Sequence, residues 1–423
     1  MTNGSGNRVQ RWLSTASPAA FTTYAASAAF ATYFCMYGYR KAFAVGTFAG
    51  HVGALDYKTL FLISQVLGYA ASKFLGIKIV SEMTPAKRAR AIVGLIALSE
   101  IALLFFAIVP PPWSALFMVM NGLPLGMIWG LVFGFLEGRK VSDLLGTSLC
   151  ASFIVSSGFV KTVGKWVMTS GVPEMWMPFV VGLMFFPPLV LFVVFLAQIP
   201  PPTASDESAR TKRAPMDGPA RTAFFKAYAP GLVALVAVYM VLTAYRDFRD
   251  NFAREIWDAL GYANTPEILT TAEIPVAFGS LLAVSAIALI ADNRKALLAL
   301  HGLMLFGAVL VGGSTLAYDA GMISPAAWMV AVGLGLYLGY VPFNSVLFDR
   351  LIAAMGSVAT AGFLIYVADA FGYLGSVGLL LTKSFARPDL SWLEFFRALS
   401  YGGAAITVVL YVVSAAYFER RTR

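Results

Sequence analysis

The sequence predicts an all-α, polytopic membrane protein: twelve transmembrane helices in two six-helix bundles. Three observations predict it. Of the 423 residues, 59% are hydrophobic and 13% charged, against about 25% charged in a soluble domain, and a mean hydropathy of +0.74 extends along the whole chain. Apolar stretches, most exceeding the roughly 20 residues that cross a bilayer, alternate with turn chemistry such as Pro110-Pro111-Pro112, Gly171-Val172-Pro173, Asp319 to Pro325 and Arg387-Pro388. The two halves of the chain also repeat one another.

Six stretches precede the middle of the chain, at about 18–45, 59–80, 91–109, 114–136, 144–168 and 175–197. Six follow it, at about 229–253, 270–290, 296–316, 325–348, 357–382 and 395–417. Between them Gln198 to Tyr228 is polar, basic and Pro-rich, opening Gln-Ile-Pro-Pro-Pro and carrying Arg210, Lys212 and Arg213. It reads as a cytoplasmic linker joining an N-terminal bundle (1–197) to a C-terminal bundle (229–423).

The net charge of +9 follows membrane topology and does not call for nucleic acid. With the N-terminus inside, 18 Lys and Arg fall in the inner connections and tails and 4 (Lys58, Arg254, Lys383, Arg387) in the outer ones. That bias places both termini in the cytoplasm of a bacterial inner membrane. Met1 to Ser17 is polar, with no signal peptide. Cys35 and Cys150 lie in apolar stretches, and His51 and His301 are not spaced as ligands, so no disulfide framework, metal site or cofactor is expected.

The repeat supports the bundles. Tyr39-Arg40 recurs as Tyr245-Arg246, 206 residues on; Gly122 to Arg139 aligns with Gly333 to Arg350 at an offset of 211; Ala151-Ser152-Phe153 aligns with Ala361-Gly362-Phe363 at 210. Six helices per half give both halves one orientation, hence a two-fold axis along the membrane normal.

Charge inside apolar stretches marks the candidate site, because a charged residue at membrane depth costs about 2.5–3.5 kcal/mol on insertion scales. The densest example is Ala244 to Phe252, Ala-Tyr-Arg-Asp-Phe-Arg-Asp-Asn-Phe. At helical pitch Arg249 and Asp250 share a face with Arg246, and Asp247 is turned away. Asp247, Arg249 and Asp250 also suit an outer gate, paired with one another and with neighbours, which is the preferred reading for Asp247. Lys73 and Asp369 lie within their helices; Asp369 requires an Arg partner or a proton. Glu100 reads as a neutral, hydrogen-bonded acid. Lys161 and Lys165, near an outer helix end, read as snorkelling residues. The stripe Gly122, Gly126, Gly130 and Gly134 reads as close helix packing, and Gly335, Gly339 and Pro342, followed by Asn344, as a broken tenth helix whose backbone faces a cavity. Gly158 to Lys165 fails as a phosphate loop, with five residues between glycines and Trp166 after the lysine. No enzyme constellation appears.

Two bundles around a central site is the major facilitator architecture, and several motifs add to that resemblance. Tyr39-Arg40-Lys41-Ala42-Phe43 resembles the Arg-Lys-x-Phe of the first helix in the organophosphate:phosphate exchangers. Tyr69-Ala70-Ala71-Ser72-Lys73-Phe74 is similar to that group's Tyr-Gly-x-Ser-Lys-Phe. Over its whole length the chain is similar to a bacterial family of unknown function within the same superfamily. The exchanger resemblance implies that Arg40 and Arg246 clamp an anion from opposite halves. Two departures stand against it: Ser81-Glu82-Met83 replaces an Asp-Arg pair, and Cys150-Ala151-Ser152-Phe153 puts Ser152 where the group has histidine.

The expectation is therefore a monomeric secondary transporter of a small phosphorylated or carboxylated anion, and the exchanger resemblance implies exchange with phosphate. Arg40, Arg246, Lys73, Arg249, Tyr39, Tyr245 and Asn344 are the expected substrate contacts; Asp369, Glu100 and Asp250 the proton or ion-pair residues. A proton-coupled symporter and a non-transporting receptor or scaffold are the alternatives.

Overall fold

The computed structural model describes residues 8–81, 83–136, 139, 141–203, 206, 218–356 and 361–422. Glu82 and most of the basic linker, with Arg210, Lys212 and Arg213, lie outside the described residues. A short helix α1 (Arg8–Thr15) precedes α2 (Pro18–Lys41), α3 (Tyr57–Ser81), α4 (Pro85–Ile108), α5 (Ala115–Leu136), α6 (Ser142–Thr169) and α7 (Met177–Leu196). After the linker come α8 (Gly218–Asn251), the short α9 (Ala253–Trp257) and α10 (Ile268–Thr271), then α11 (Glu273–Ala288), α12 (Asn293–Asp319), α13 (Pro325–Ser345), α14 (Leu347–Ala354), α15 (Ala361–Leu381) and α16 (Trp392–Arg421). The described β-structure is one hairpin, His51–Val52 with Leu55–Asp56, in the loop after α2.

Helix starts carry their signals in sequence. Ser17 caps α2 through the Ala20 amide at 3.3 Å, with Pro18 next; Ser324 caps α13 before Pro325; Ser391 and Glu394 form a reciprocal capping box on α16.

Some boundaries differ from the sequence reading. The seventh apolar stretch belongs to a helix that starts at Gly218 and kinks at Tyr228, just before Pro230, whose ring and missing N–H disturb the turn behind it. The tenth is not broken by its glycines. It runs unbroken to Ser345 and bends at Val346, while Gly335 lets α13 meet α12: a Cβ there would lie 2.5 Å from the Gly307 carbonyl oxygen. Gly122 and Gly126 of α5 pack in the same way, since a Cβ at Gly122 would lie 2.1 Å from the Gln65 carbonyl oxygen of α3 and one at Gly126 2.7 Å from that of Tyr69, whereas Gly134 faces the Arg88 side chain.

Among the described residues, ten helical segments are long and apolar enough to cross a membrane. These fall on α4–α8, α10 with α11, α12, α13, α15 and α16, and the protein is a multi-pass membrane protein. The two expected spans outside the ten are α2 and α3. Both carry buried polar side chains, among them Thr32, Arg40, Lys41, Gln65, Ser72 and Lys73.

Helices α2–α7 pack on one another, with α3 on α5, α2 on α6 and α7, and α4 on α5 and α7. In the second half α12 packs on α13 and α16, and α8 on α15 and α16. The two groups meet where α6 touches α10, α11 and α13, and where α3 touches α15.

Candidate functional site

Between the two groups lies a polar cavity with room for about 20 Å³, the space of a water molecule and well short of an open ligand pocket. Helical spacing selects its walls. Tyr33, Tyr37 and Arg40 follow one another at four and three residues on α2, and Tyr69 and Lys73 at four on α3. Tyr340 and Asn344 of α13, Asp369 and Tyr373 of α15, Arg246 of α8, Trp129 of α5 and Phe153 of α6 complete it.

The Arg40 guanidinium lies 4.0 Å over the Tyr69 ring and 5.8 Å from that of Tyr37. Aromatic faces hold its plane and leave its N–H edge free to fork onto an anion. Although Arg40 is only 4% exposed, it has no carboxylate partner among the described residues. Arg246 lies 4.3 Å over Tyr340 and is bound by Asp247 at 2.8 Å, whose other oxygen accepts from Ser376 at 2.8 Å. Lys73 meets Asp369 at 3.0 Å across the two groups. The second Asp369 oxygen accepts from the Tyr239 hydroxyl at 2.6 Å, which in turn accepts from the Asn344 amide at 3.1 Å. The formal balance of Arg40, Lys73 and Arg246 against Asp369 and Asp247 is thus one positive charge, and it belongs to Arg40.

Toward the end of the molecule bearing Lys58 the groups are fastened together. Asp250 of α8 accepts from Lys41 at 2.7 Å and Lys161 at 2.5 Å, both from the first group, and from Ser157. Lys41 also donates to Asn251 at 2.7 Å, Lys58 pairs with Glu255, and Thr162 donates to the Pro266 carbonyl at 3.0 Å. Here α6 and α10 touch backbone to backbone: a Cβ on Gly158 would lie 1.9 Å from the Leu269 carbonyl oxygen.

The expected site residues therefore separate. Arg40, Arg246, Lys73, Asn344 and Asp369 come together in the cavity. Tyr39 and Tyr245 do not reach it, because each immediately precedes its arginine and points about 100° away. Tyr39 lies inside the first group with its hydroxyl unpartnered, and Tyr245 shares a hydrogen bond with Ser400 at 2.6 Å. Arg249 turns into the second group, to Glu273 at 2.8 Å and the Met329 carbonyl at 3.1 Å. Asp250 belongs to the fastening, as the outer-gate reading of that stretch has it, whereas Asp247 serves Arg246. Glu100 packs on Gly182 of α7, away from the cavity, and neither oxygen has a hydrogen-bond partner, so it is not the hydrogen-bonded acid expected. The partner of Asp369 is a lysine, and Lys161 reaches across to Asp250 where snorkelling was expected. Ser152, in the histidine position of the exchanger resemblance, spends its hydroxyl on the Leu149 carbonyl at 2.6 Å, and Phe153 faces the cavity instead.

Sequence reasoning missed the aromatic wall and Lys41. The tyrosines carried a signal nonetheless: one lies one turn from Arg40, Lys73, Asn344 and Asp369 alike.

No curated protein sequence matches the chain. Solved structures do. A D-xylose-proton symporter superposes with a TM-score of 0.63 at 12% identity, over 93% of this chain and 96% of that one. The human organic anion transporter MFSD10 (TETRAN) gives 0.57 at 12% identity, over 94% and 100%. A mutant of the nucleoside transporter NupG gives 0.58 at 14%, over 94% and 99%. These are major facilitator transporters, and at such identities the likeness establishes the fold. Residues 42–421 match the family described as "Family of unknown function (DUF5690)", and the chain belongs to that family.

Proposed function

We propose that this protein is a secondary transporter moving a small anionic solute by alternating access through the cavity between its bundles. In this reading α2 and α3 cross the bilayer with the ten apolar segments, making twelve spans, and residues 198–228 link bundles 1–197 and 229–423 in the cytoplasm. The Lys58 end then faces outward, and the bonds from Asp250 to Lys41 and Lys161 hold it shut. The observation that carries the proposal is Arg40: a buried guanidinium, held flat by two tyrosines, with no carboxylate paired to it among the described residues. Such a group cannot deprotonate at working pH, and burying it unpaired is costly, so an anion is its natural complement. Arg246 supplies the second half of the clamp once the anion competes with Asp247. A phosphate or carboxylate group fits two guanidinium forks, and exchange with phosphate fits the exchanger resemblance.

Proteoliposomes loaded with unlabelled inorganic phosphate test it through uptake of labelled phosphate. Saturable counterflow is expected, with Arg40→Lys and Arg246→Lys each weakening affinity at least about tenfold, about 1.4 kcal/mol, at unchanged melting temperature. Unchanged affinity in both variants would remove the clamp. Counterflow also excludes the receptor reading.

The orientation has its own check. A cysteine at position 212 is expected to react only from the cytoplasmic side, and one replacing His51 only from the opposite side. Labelling of position 212 from outside would reverse the topology.

A further inference from the structure

We infer that the cavity takes its substrate as a dianion together with one proton, which goes to Asp369 and turns Lys73 from Asp369 to the substrate's second negative charge. This rests on the anion reading of the cavity and adds the charge of the ligand and the fate of one side chain. The cavity's one positive charge in excess matches a monoanion. A dianion would leave a net negative charge in a buried space, and uncompensated buried charge is expensive. Transfer of one proton from solvent to the Asp369 carboxylate removes that excess. The carboxylate becomes a carboxylic acid, and Arg40 and Lys73 then face the two substrate charges.

Asp369 is the group placed to accept the proton. From α2 it is faced by Tyr33, Tyr37 and Arg40, and from α3 by Tyr69 and Lys73. From α8 come Tyr239 and Arg246, from α13 Tyr340 and Asn344. Its own helix adds Tyr373, and Tyr366 beside Lys73 at 5.9 Å. The tyrosines and arginines stay protonated at neutral pH. Asp247 is outside the cavity wall with both oxygens engaged, and Asp250 is held by two lysines. Protonated Asp369 keeps the Tyr239 hydrogen bond on one oxygen, and its new O–H is free to donate to the bound anion. The step also unfastens the bundles. Among the described residues Lys73–Asp369 is the ion pair joining the two groups away from the Lys58 end, about 22 Å along α3 from Lys58.

Sulfate and methanesulfonate make the test, since both are tetrahedral at sulfur and keep fixed charges of two and one near neutrality. Binding to the purified protein is followed by calorimetry from pH 6 to 8, with proton uptake read in weak buffer. For sulfate, uptake of one proton per site and an affinity falling about tenfold per pH unit are expected. Methanesulfonate should take up none and show a flat profile, and Asp369→Asn should flatten the sulfate profile. Wild-type sulfate binding without proton uptake overturns the inference and leaves the anion reading standing. If neither probe binds, the anion reading falls and this inference with it.

Discussion

Replacing Gly158 with valine is expected to abolish transport while the protein stays folded and still binds anion. The hydrogen of Gly158 faces the carbonyl oxygen of Leu269, and a Cβ would lie 1.9 Å from that oxygen and 3.1 Å from the Thr270 Cα. Both obstacles are backbone, so no rotamer change relieves the clash. The relief available is separation of α6 from α10, which belong to opposite groups. Overpacking in a core costs about 1–3 kcal/mol, and backbone against backbone sits at the upper end, shifting the equilibrium away from closure at the Lys58 end by roughly a hundredfold. Spin labels at His51→Cys and Asn264→Cys, both exposed and on opposite groups, should show a longer separation in Gly158→Val. Transport at the wild-type rate would show that this contact is not part of the cycle.

Asp250→Ala is expected to open the same end by a different route. It leaves Lys41 and Lys161 buried with their shared carboxylate gone, and removing one partner of a buried ion pair costs about 3–5 kcal/mol. That is roughly two to three orders of magnitude in the closed population. Because the loss is electrostatic, adding Lys161→Met should restore part of the closure, whereas Gly158→Val has no such rescue. The same label pair reads both outcomes. An unchanged distance in Asp250→Ala would mean that the remaining bonds across this end, among them Lys41 to Asn251, Lys58 to Glu255 and Thr162 to Pro266, suffice for closure.

The membrane class and major facilitator fold were legible because bilayer thickness sets element length and apolarity locally, without reference to partners. Of the ten site residues that charge and motif at membrane depth led us to expect, five line the cavity. What sequence could not resolve was direction within Tyr245 to Asp250. Successive residues on a helix point about 100° apart, and which direction leads to cavity, core or opposite bundle depends on neighbours far away in the chain. Arg246, Arg249 and Asp250 take all three. Asp369 was expected to pair with an arginine or carry a proton, but its partner is Lys73, 296 positions earlier, a separation no local pattern spans. Glu100 fails for another reason: its packing on Gly182 offers apolar contact and no donor.

Trp129 gives the molecule an optical consequence. Its indole forms part of the cavity wall, stacks on Phe133 with centroids 4.9 Å apart, and has the Lys73 ammonium 5.9 Å from its ring. Indole emission responds to the electric field of a nearby charge, so any movement of that ammonium changes the colour of the light this residue emits. With the other seven of the eight tryptophans replaced by phenylalanine, the chain would report its own loading, in detergent or in lipid, with no label attached.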